Sequence, residues 1–470
     1  KHSLYKDIRR LGVGEFVSFK NGSLNIGEIR FTPEPIKNYH KDKLEDYYNL
    51  FYSSIEIRSS TNMNWVFMSS GWDSSSVLSM LCKIHGSSKV RAVIAKFKYS
   101  NKSGVNNNFE IERAKKITDY FNVPLDVVSI DYTVSEYLLF WEEIRETFKS
   151  SHLYALFTYN FFRLAKHVSQ NGQLSDVIFN GEISDGAHNL GFSQFATILN
   201  HSDLSFREYS DKMASYLYSP SFFKKILKGD YTEDSVFKLI KLHKNEIGLE
   251  SIKNLSDKEW KNKYISSFLL SSKRMPFSES FKSKILTPQG SKSFEQEINE
   301  KYFDSFSDNV TDETLYSWFL HFYNSFHWQG STVRGMMTSP EYYDLKTSSP
   351  FWDSRIQKFL SSMPESWGRG LDLNPTKYPL KWMLQNKIDY PMHLQEGPHS
   401  YTYDIDPNFS HSSELVNYSS FREIYTSELI KKDFINKFDP EIFDTKYIKS
   451  IIEKYKTGIE MKGEEIINIL

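Results

Sequence analysis

The chain has one cysteine, Cys82, among 470 residues. That excludes an intramolecular disulfide framework and any cysteine-rich metal site. Net charge is lacking as well, because 58 Lys and Arg stand against 59 Asp and Glu, a formal −1. No global field therefore draws the protein toward nucleic acid or an anionic membrane. No run in the sequence approaches the roughly 18 apolar residues of a membrane span, and nothing at the start reads as a signal peptide. The expectation is a soluble, cytoplasmic protein with no nucleic-acid and no membrane partner. Aromatic residues are abundant instead: 36 Phe and 29 Tyr predict a core built from large rings. A length of 470 residues suits two or three packed domains.

The chain opens on Lys1 rather than Met, which reads as a trimmed chain or part of something longer. Glu15 to Phe19 and Ser23 to Ile26 flank Asn21-Gly22, a pair that supplies the positive φ angles of a tight hairpin turn. Pro33 and Pro35 break the chain before an amphipathic stretch from Leu44 to Ile57. Trp65 to Met68 is then a short apolar run, followed by Val77, Leu78, Leu81 and Ile84 at helical spacing. Further strand-like runs span Val90 to Phe97, Leu125 to Ile130 and Asp176 to Phe179, with a helix carrying Ile111, Ala114, Ile117 and Phe121 after the first of these. Such alternation predicts an α/β fold with a parallel sheet, whose ligands sit beyond the carboxyl ends of the strands. Residues 200–330 and the segment from about 410 to Leu470 have helical patterns without an interpretable motif.

Two segments at those carboxyl ends carry chemistry. Ser69-Ser70-Gly71-Trp72-Asp73-Ser74-Ser75 joins a strand to a helix, and its small residues suit a phosphate cradle at a helix N-terminus. The hydroxyls of Ser69, Ser74 and Ser75 would add donors. Asp73 repels phosphate unless a cation lies between them, which suggests Mg²⁺. The plainer alternative is a Ser/Asp cap on an ordinary helix. Gly181-Glu182-Ile183-Ser184-Asp185-Gly186 follows the fourth run, and a helical turn there would bring Glu182 and Asp185 to one mouth. Its alternative is an acidic loop before a solvated helix.

In this order the segments resemble the synthetase domain of the asparagine synthetase family, among the PP-loop ATP pyrophosphatases, which include β-lactam synthetases and lasso-peptide macrocyclases. Ser69-Ser70-Gly71-Trp72-Asp73-Ser74 matches the family's Ser-Gly-Gly-x-Asp-Ser, and Gly181 to Gly186 its Gly-Glu-Gly-x-Asp-Glu. Pro350-Phe351-Trp352-Asp353 matches Pro-Phe-Leu-Asp, and Thr376-Lys377 a Thr-Lys that heads a helix. Arg9-Arg10-Leu11 through Phe19 looks like the end of the glutaminase domain that precedes the synthetase domain. The resemblance implies a parallel-sheet PP-loop core, adenine nucleotide α-hydrolase-like, with extensive helical additions. It divides the chain into a glutaminase-like remnant or linker over 1–40, an ATP-binding synthetase domain over 41–405 and a helical extension over 406–470.

The resemblance also implies roles. Ser69, Ser70, Gly71, Ser74 and Ser75 would grip the pyrophosphate of ATP, and Asp73 and Asp185 would hold Mg²⁺. Glu182 would be the general base, and backbone at Met68, Phe97 and Gly181 would frame adenine and ribose. A small-molecule carboxylate would be adenylated and passed to ammonia or an amine, supplied free or by a glutaminase domain or subunit. Three departures stand out. Ser70 replaces the loop's first glycine, and Ser348 stands where the family has an arginine. The family's Arg-x-Lys neighbourhood reads His393-Leu394-Gln395-Glu396-Gly397-Pro398-His399, without a lysine, so Lys377, Lys381 or Lys387 reaches in, a histidine substitutes, or the amide-forming step is weak. Lys377, at its motif position, is the expected catalytic lysine. Cys82, on the apolar helix face, is expected in the core. The departures turn attention from aspartate to other acyl substrates, such as a sugar carboxylate. Peptide or lactam closure and a catalytically decayed nucleotide-binding module are the alternatives. The β-lactam branch has a tyrosine where Glu182 stands, which disfavours lactam closure. A tRNA-modifying PP-loop enzyme is disfavoured by the neutral charge.

Overall fold

The computed structural model describes residues 11, 14–99, 101, 104–134, 136–151, 153, 158–188, 216–238, 255–270, 276–277, 283–304, 306–325, 332–369, 374–396, 411–429, 435–463 and 465. Arg9, Arg10 and Gly397 to His399, which entered the sequence reading, lie outside them. The hairpin forms as expected: β1 (Glu15–Lys20) pairs antiparallel with β2 (Ser23–Glu28), and Asn21 and Gly22 turn the chain with φ of 52° and 78°.

The main sheet comprises β3 (Asn64–Phe67), β4 (Val90–Lys98), β5 (Leu125–Asp131), β6 (Val177–Phe179) and β7 (Lys346–Ser348). Its order is β5-β4-β3-β6-β7, and every pair is parallel. This is an α/β protein with a five-stranded parallel sheet and many helices. The chain builds β3, β4 and β5 outward in one direction, then returns to lay β6 on the other side of β3. Strand order therefore reverses between β3 and β6, the position where open α/β sheets leave a crevice at the carboxyl ends.

Side-chain alternation divides the core across the sheet. Val66, Met68, Ala92, Ile94, Val177 and Phe179 join the core that holds α1 (Lys43–Glu56), α2 (Trp72–His85) and α3 (Asn108–Tyr120). Trp65, Phe67, Val93, Ala95 and Ile178 join the other, with α4 (Glu136–Ser150) and α5 (Thr158–Asn171). Burial on both faces makes β3, β4 and β6 apolar runs visible in the sequence, while the edge strand β5 is read from Leu125, Val127, Val128 and Ile130 although Val127 is exposed. β7 reads Lys-Thr-Ser and carries no such signal. Neither α4 nor α5 is anticipated by the sequence reading.

The helix Thr445–Lys456 sends Ile448, Ile451, Ile452 and Tyr455 into the same core as α4 and α5. The segment set apart from residue 406 thus contributes to the central packing. The aromatic excess has the expected use: Tyr218, Tyr264, Phe268 and Phe319 are buried together, with ring centroids 5.1 Å apart for Tyr218–Phe268 and 4.9 Å for Phe268–Phe319. Cys82 is half-buried against the core rather than enclosed in it, and burial pushes its thiol up to about 12. Among the described residues, no helix is long and apolar enough to cross a membrane.

Phe179 is fully buried in the last residue of β6, directly beneath the crevice. Phe179→Ala should cost about 3–5 kcal/mol of stability by urea unfolding, and a loss below about 1 kcal/mol would show that the sheet does not pack there as described.

Candidate active site

At the end of β3 the chain turns sharply into α2. The helix cap is Gly71, and no side chain caps the first turn. The Ser/Asp cap considered from the sequence is therefore not formed. The loop hydroxyls hold the turn itself. Ser69 N–H donates to Ser74 Oγ (3.0 Å), Ser74 Oγ donates to the Ser69 carbonyl (3.1 Å), and Gly71 N–H donates to Ser69 Oγ (3.2 Å). Ser75 Oγ donates to the Gly71 carbonyl (2.7 Å) and accepts from Tyr390 Oη (2.8 Å). Ser74 and Ser75 are buried, so in this conformation their hydroxyls are spent on shaping the loop. Ser70 is also buried, and its hydroxyl has no partner among the described residues.

The second segment abuts the first. A Cβ at Gly181 would lie 2.5 Å from the Ser74 nitrogen and 2.7 Å from the Asp73 carbonyl carbon, so only glycine lets β6 deliver its loop against α2. Glu182 follows. Ile183 then turns the chain with a φ of 78° into the short helix α6 (Ser184–Ala187), whose first turn carries Asp185. This left-handed conformation is costly for a β-branched residue. Ile183 occupies it where the resembled motif carries glycine. Glu182 thus precedes the helix, and a backbone kink brings it beside Asp185 where a shared helical turn was expected.

Lys377 ties the two segments together. It is buried and caps the helix Tyr378–Lys387 with a φ of 54°. Its Nζ lies 2.7 Å from both Oδ1 and Oδ2 of Asp73 and also bonds Asp185. Ser184 Oγ donates to Asp73 Oδ1 at 2.6 Å. His188 Nδ1 lies 2.7 Å from the Ser184 carbonyl, which can only accept, so Nδ1 carries the proton and Nε2 accepts from Tyr47 Oη at 3.0 Å. Burial, with Lys377 adding to it, lowers His188 to about 3 and leaves it a neutral support. Burial works against the charge on Lys377, but Asp185 and Asp73 outweigh it and hold its pKa above the usual lysine value. Burial, then the negative charges of Asp185 and Asp73, raise Glu182 to about 7 against the pull of Lys377. A carboxyl so poised exchanges a proton near neutrality.

The other lysines sit elsewhere. Lys381 Nζ stands 4.9 Å over the Trp72 ring and donates to Thr376 Oγ1 at 3.2 Å, on the loop's rim. Lys387 pairs with Glu45 at 2.5 Å. Gln395 is buried behind the loop, its Nε2 donating to Tyr390 Oη at 2.7 Å, so this neutral side chain holds the loop where the resemblance leads one to seek a lysine. Asp353 caps the helix Ser354–Ser361 and bonds Arg58 (2.9 Å) and Arg355 (2.8 Å). Burial would raise it, but hydrogen bonds from Arg355 and Arg58 hold it far below the usual carboxylate range, a structural role. Ser348 lends its carbonyl to the Asn180 N–H at 3.2 Å, and Asn180 Oδ1 accepts from Ser349 Oγ (3.0 Å) and Glu182 N–H (3.1 Å). Asn180, Ser184, His188, Tyr47 and Tyr390 are site residues that the sequence reading did not assign, and single polar residues scattered over helices and loops give no pattern to find them by. Met68 N–H is taken by the Val93 carbonyl (2.8 Å) and Phe97 N–H by Asn107 Oδ1 (3.0 Å), so neither amide is open to a base.

Asp73 and Asp185 aim at one point, the Lys377 ammonium. Two converging carboxylates suit a hard divalent cation that takes its remaining oxygens from water and phosphate. Among the described residues, no group of three or more His, Cys, Asp or Glu forms a self-sufficient metal cage.

Since the folded Glu182 keeps a proton that the unfolded chain loses above its ordinary 4.5, its contribution makes stability fall as pH rises from about 4.5 to about 7. Urea unfolding of wild type and Glu182→Gln across that window should show the wild type losing ground steadily and then levelling off. A pH-independent difference would remove the raised pKa. No protein-family model matches the chain, and no curated protein matches it.

Proposed function

We propose that the protein is an ATP-dependent carbon–nitrogen ligase with a PP-loop core, which adenylates a small-molecule carboxylate and transfers the acyl group to ammonia or an amine. The observation that carries this reading is the convergence of Asp73, Asp185, Lys377 and Glu182 at the carboxyl ends of β3 and β6. The motif resemblance supports it as well, since those four residues are among the ones to which it gives roles.

In this mechanism the first-turn amides of α2 receive the phosphates, helped by the positive end of the helix dipole. A substrate carboxylate oxygen attacks the α-phosphorus, the α–β phosphoanhydride breaks, and pyrophosphate leaves. Lys377 stabilises the charge developing on that leaving group. Asp73 and Asp185 would hold Mg²⁺, which supplies further charge neutralisation at the phosphates. The nitrogen nucleophile then attacks the acyl carbon, AMP departs, and Glu182 takes the proton the nitrogen loses. Substrates other than aspartate, a sugar carboxylate among them, fit the departures at Ser348 and Gln395.

ATP–pyrophosphate exchange over a panel of carboxylates tests this reading. Exchange should depend on Mg²⁺ and on one carboxylate, and Asp73→Ala should abolish it while the circular dichroism spectrum is unchanged. Activity retained in Asp73→Ala would remove that residue from the site. Glu182→Gln should keep exchange within about threefold and slow amide formation by about 10²–10⁴-fold. Equal loss of both steps would contradict the general-base role.

A further inference from the structure

We infer that Lys377 is a resident cation occupying the divalent-metal position between Asp73 and Asp185, so the metal is admitted only when the lysine ammonium is drawn away, as by an incoming polyphosphate. The inference rests on reading this mouth as a metal–nucleotide site, and it adds an order of loading to that reading.

The geometry leaves little room for both cations. Lys377 Nζ contacts both oxygens of Asp73 at 2.7 Å and also bonds Asp185, the two carboxylates that would ligate the metal. The Lys377 side chain is only 8% exposed, whereas Asp73 and Asp185 are 24% and 20% exposed, so the buried ammonium meets two carboxylates that still reach the mouth. A divalent ion sharing these oxygens would stand within a few ångströms of that positive charge, where repulsion in a protected site is severe. A bare ion would also have to shed tightly held water to displace the lysine, which Mg²⁺ does reluctantly. A polyphosphate changes the balance because it offers the ammonium a new anion and the metal new oxygens together. The approach to Asp73 is fixed on the other side as well, since Ser184 Oγ donates to Oδ1 at 2.6 Å and the neutral His188 bonds the Ser184 carbonyl. Lys377 sits at a helix cap in the left-handed conformation, so its stem enters the mouth from a backbone position set by the fold. The mobile element is the side chain beyond Cα.

Mn²⁺ binding to the full chain, followed by the electron paramagnetic resonance of the free ion, tests this without requiring turnover. Without nucleotide, wild type should bind Mn²⁺ at least about tenfold more weakly than Lys377→Met, a difference of about 1.4 kcal/mol. The gain should vanish in Asp73→Asn/Lys377→Met. Lys377→Gln, which keeps a donor between the carboxylates, serves if Lys377→Met does not fold. With the β,γ-imido analogue of ATP present, wild type should bind Mn²⁺ as tightly as the variant. Equal affinity of wild type and both Lys377 variants without nucleotide would overturn the inference, as would a gain that survives the loss of Asp73. Should Lys377→Met gain its Asp73-dependent ion while wild type binds neither the analogue nor Mn²⁺ beside it, the lysine's occupancy stands and the nucleotide reading falls.

Discussion

An ammonium held between two carboxylates is the interaction on which the rest of this mouth depends. Lys377, Asp73 and Asp185 come from chain positions 377, 73 and 185, and each is brought in by a different element. Burying the Lys377 charge alone would be strongly unfavourable, and it is tolerable beside two half-buried carboxylates only if all three are delivered accurately. The backbone shows what that delivery requires. Gly181 lets β6 touch α2, Ile183 turns α6 through a left-handed kink, and Lys377 itself sits left-handed at its helix cap. Strained backbone gathered around one ion pair is what a functional site imposes on a fold, because the surrounding packing must hold conformations that local preference disfavours.

The same mouth explains the polar residues that surround it. Ser74 and Ser75 hold the loop from within, Tyr390 and Gln395 brace Ser75 from behind, and Asn180 clamps the ends of β6 and β7. His188 is neutral, so it can bond Ser184 and Tyr47 without adding a charge to a site already crowded with them. These groups orient the residues that would meet ligand and contribute no charge of their own. Glu182 is the exception, a carboxyl raised toward neutrality by its burial and by the same two aspartates that hold the lysine.

Much of this was legible in the sequence, for physical reasons that also mark where legibility ends. Strands β3, β4 and β6 are buried on both faces and announce themselves as apolar runs, the edge strand β5 is legible from its β-branched residues, and the Asn21-Gly22 turn can hardly read otherwise. β7, three polar residues paired along one edge, announces nothing. The two acidic loops were found because glycine, serine and carboxylate cluster where strands end. The motif position singles out Lys377 as the catalytic lysine, but its contact with Asp73 depends on tertiary structure that no local pattern encodes. The serine hydroxyls were expected to face a ligand, yet Ser74 and Ser75 turn inward, since the tight turn itself has carbonyls and amides that need partners. Ile183 in a left-handed conformation runs against its intrinsic preference, and only the packing around it reveals why the chain adopts it.

The central proposal is that Lys377 meets the phosphates of a nucleotide at this mouth, with Asp73 and Asp185 holding the metal that accompanies them. Calorimetric titration of ATP with Mg²⁺ into wild type, Lys377→Ala and a control, Lys387→Ala, whose lysine pairs with Glu45, tests it most directly. Wild type and Lys387→Ala should bind one ATP with equal affinity, and Lys377→Ala should bind it at least about tenfold more weakly. Binding of equal strength in all three proteins would contradict the account.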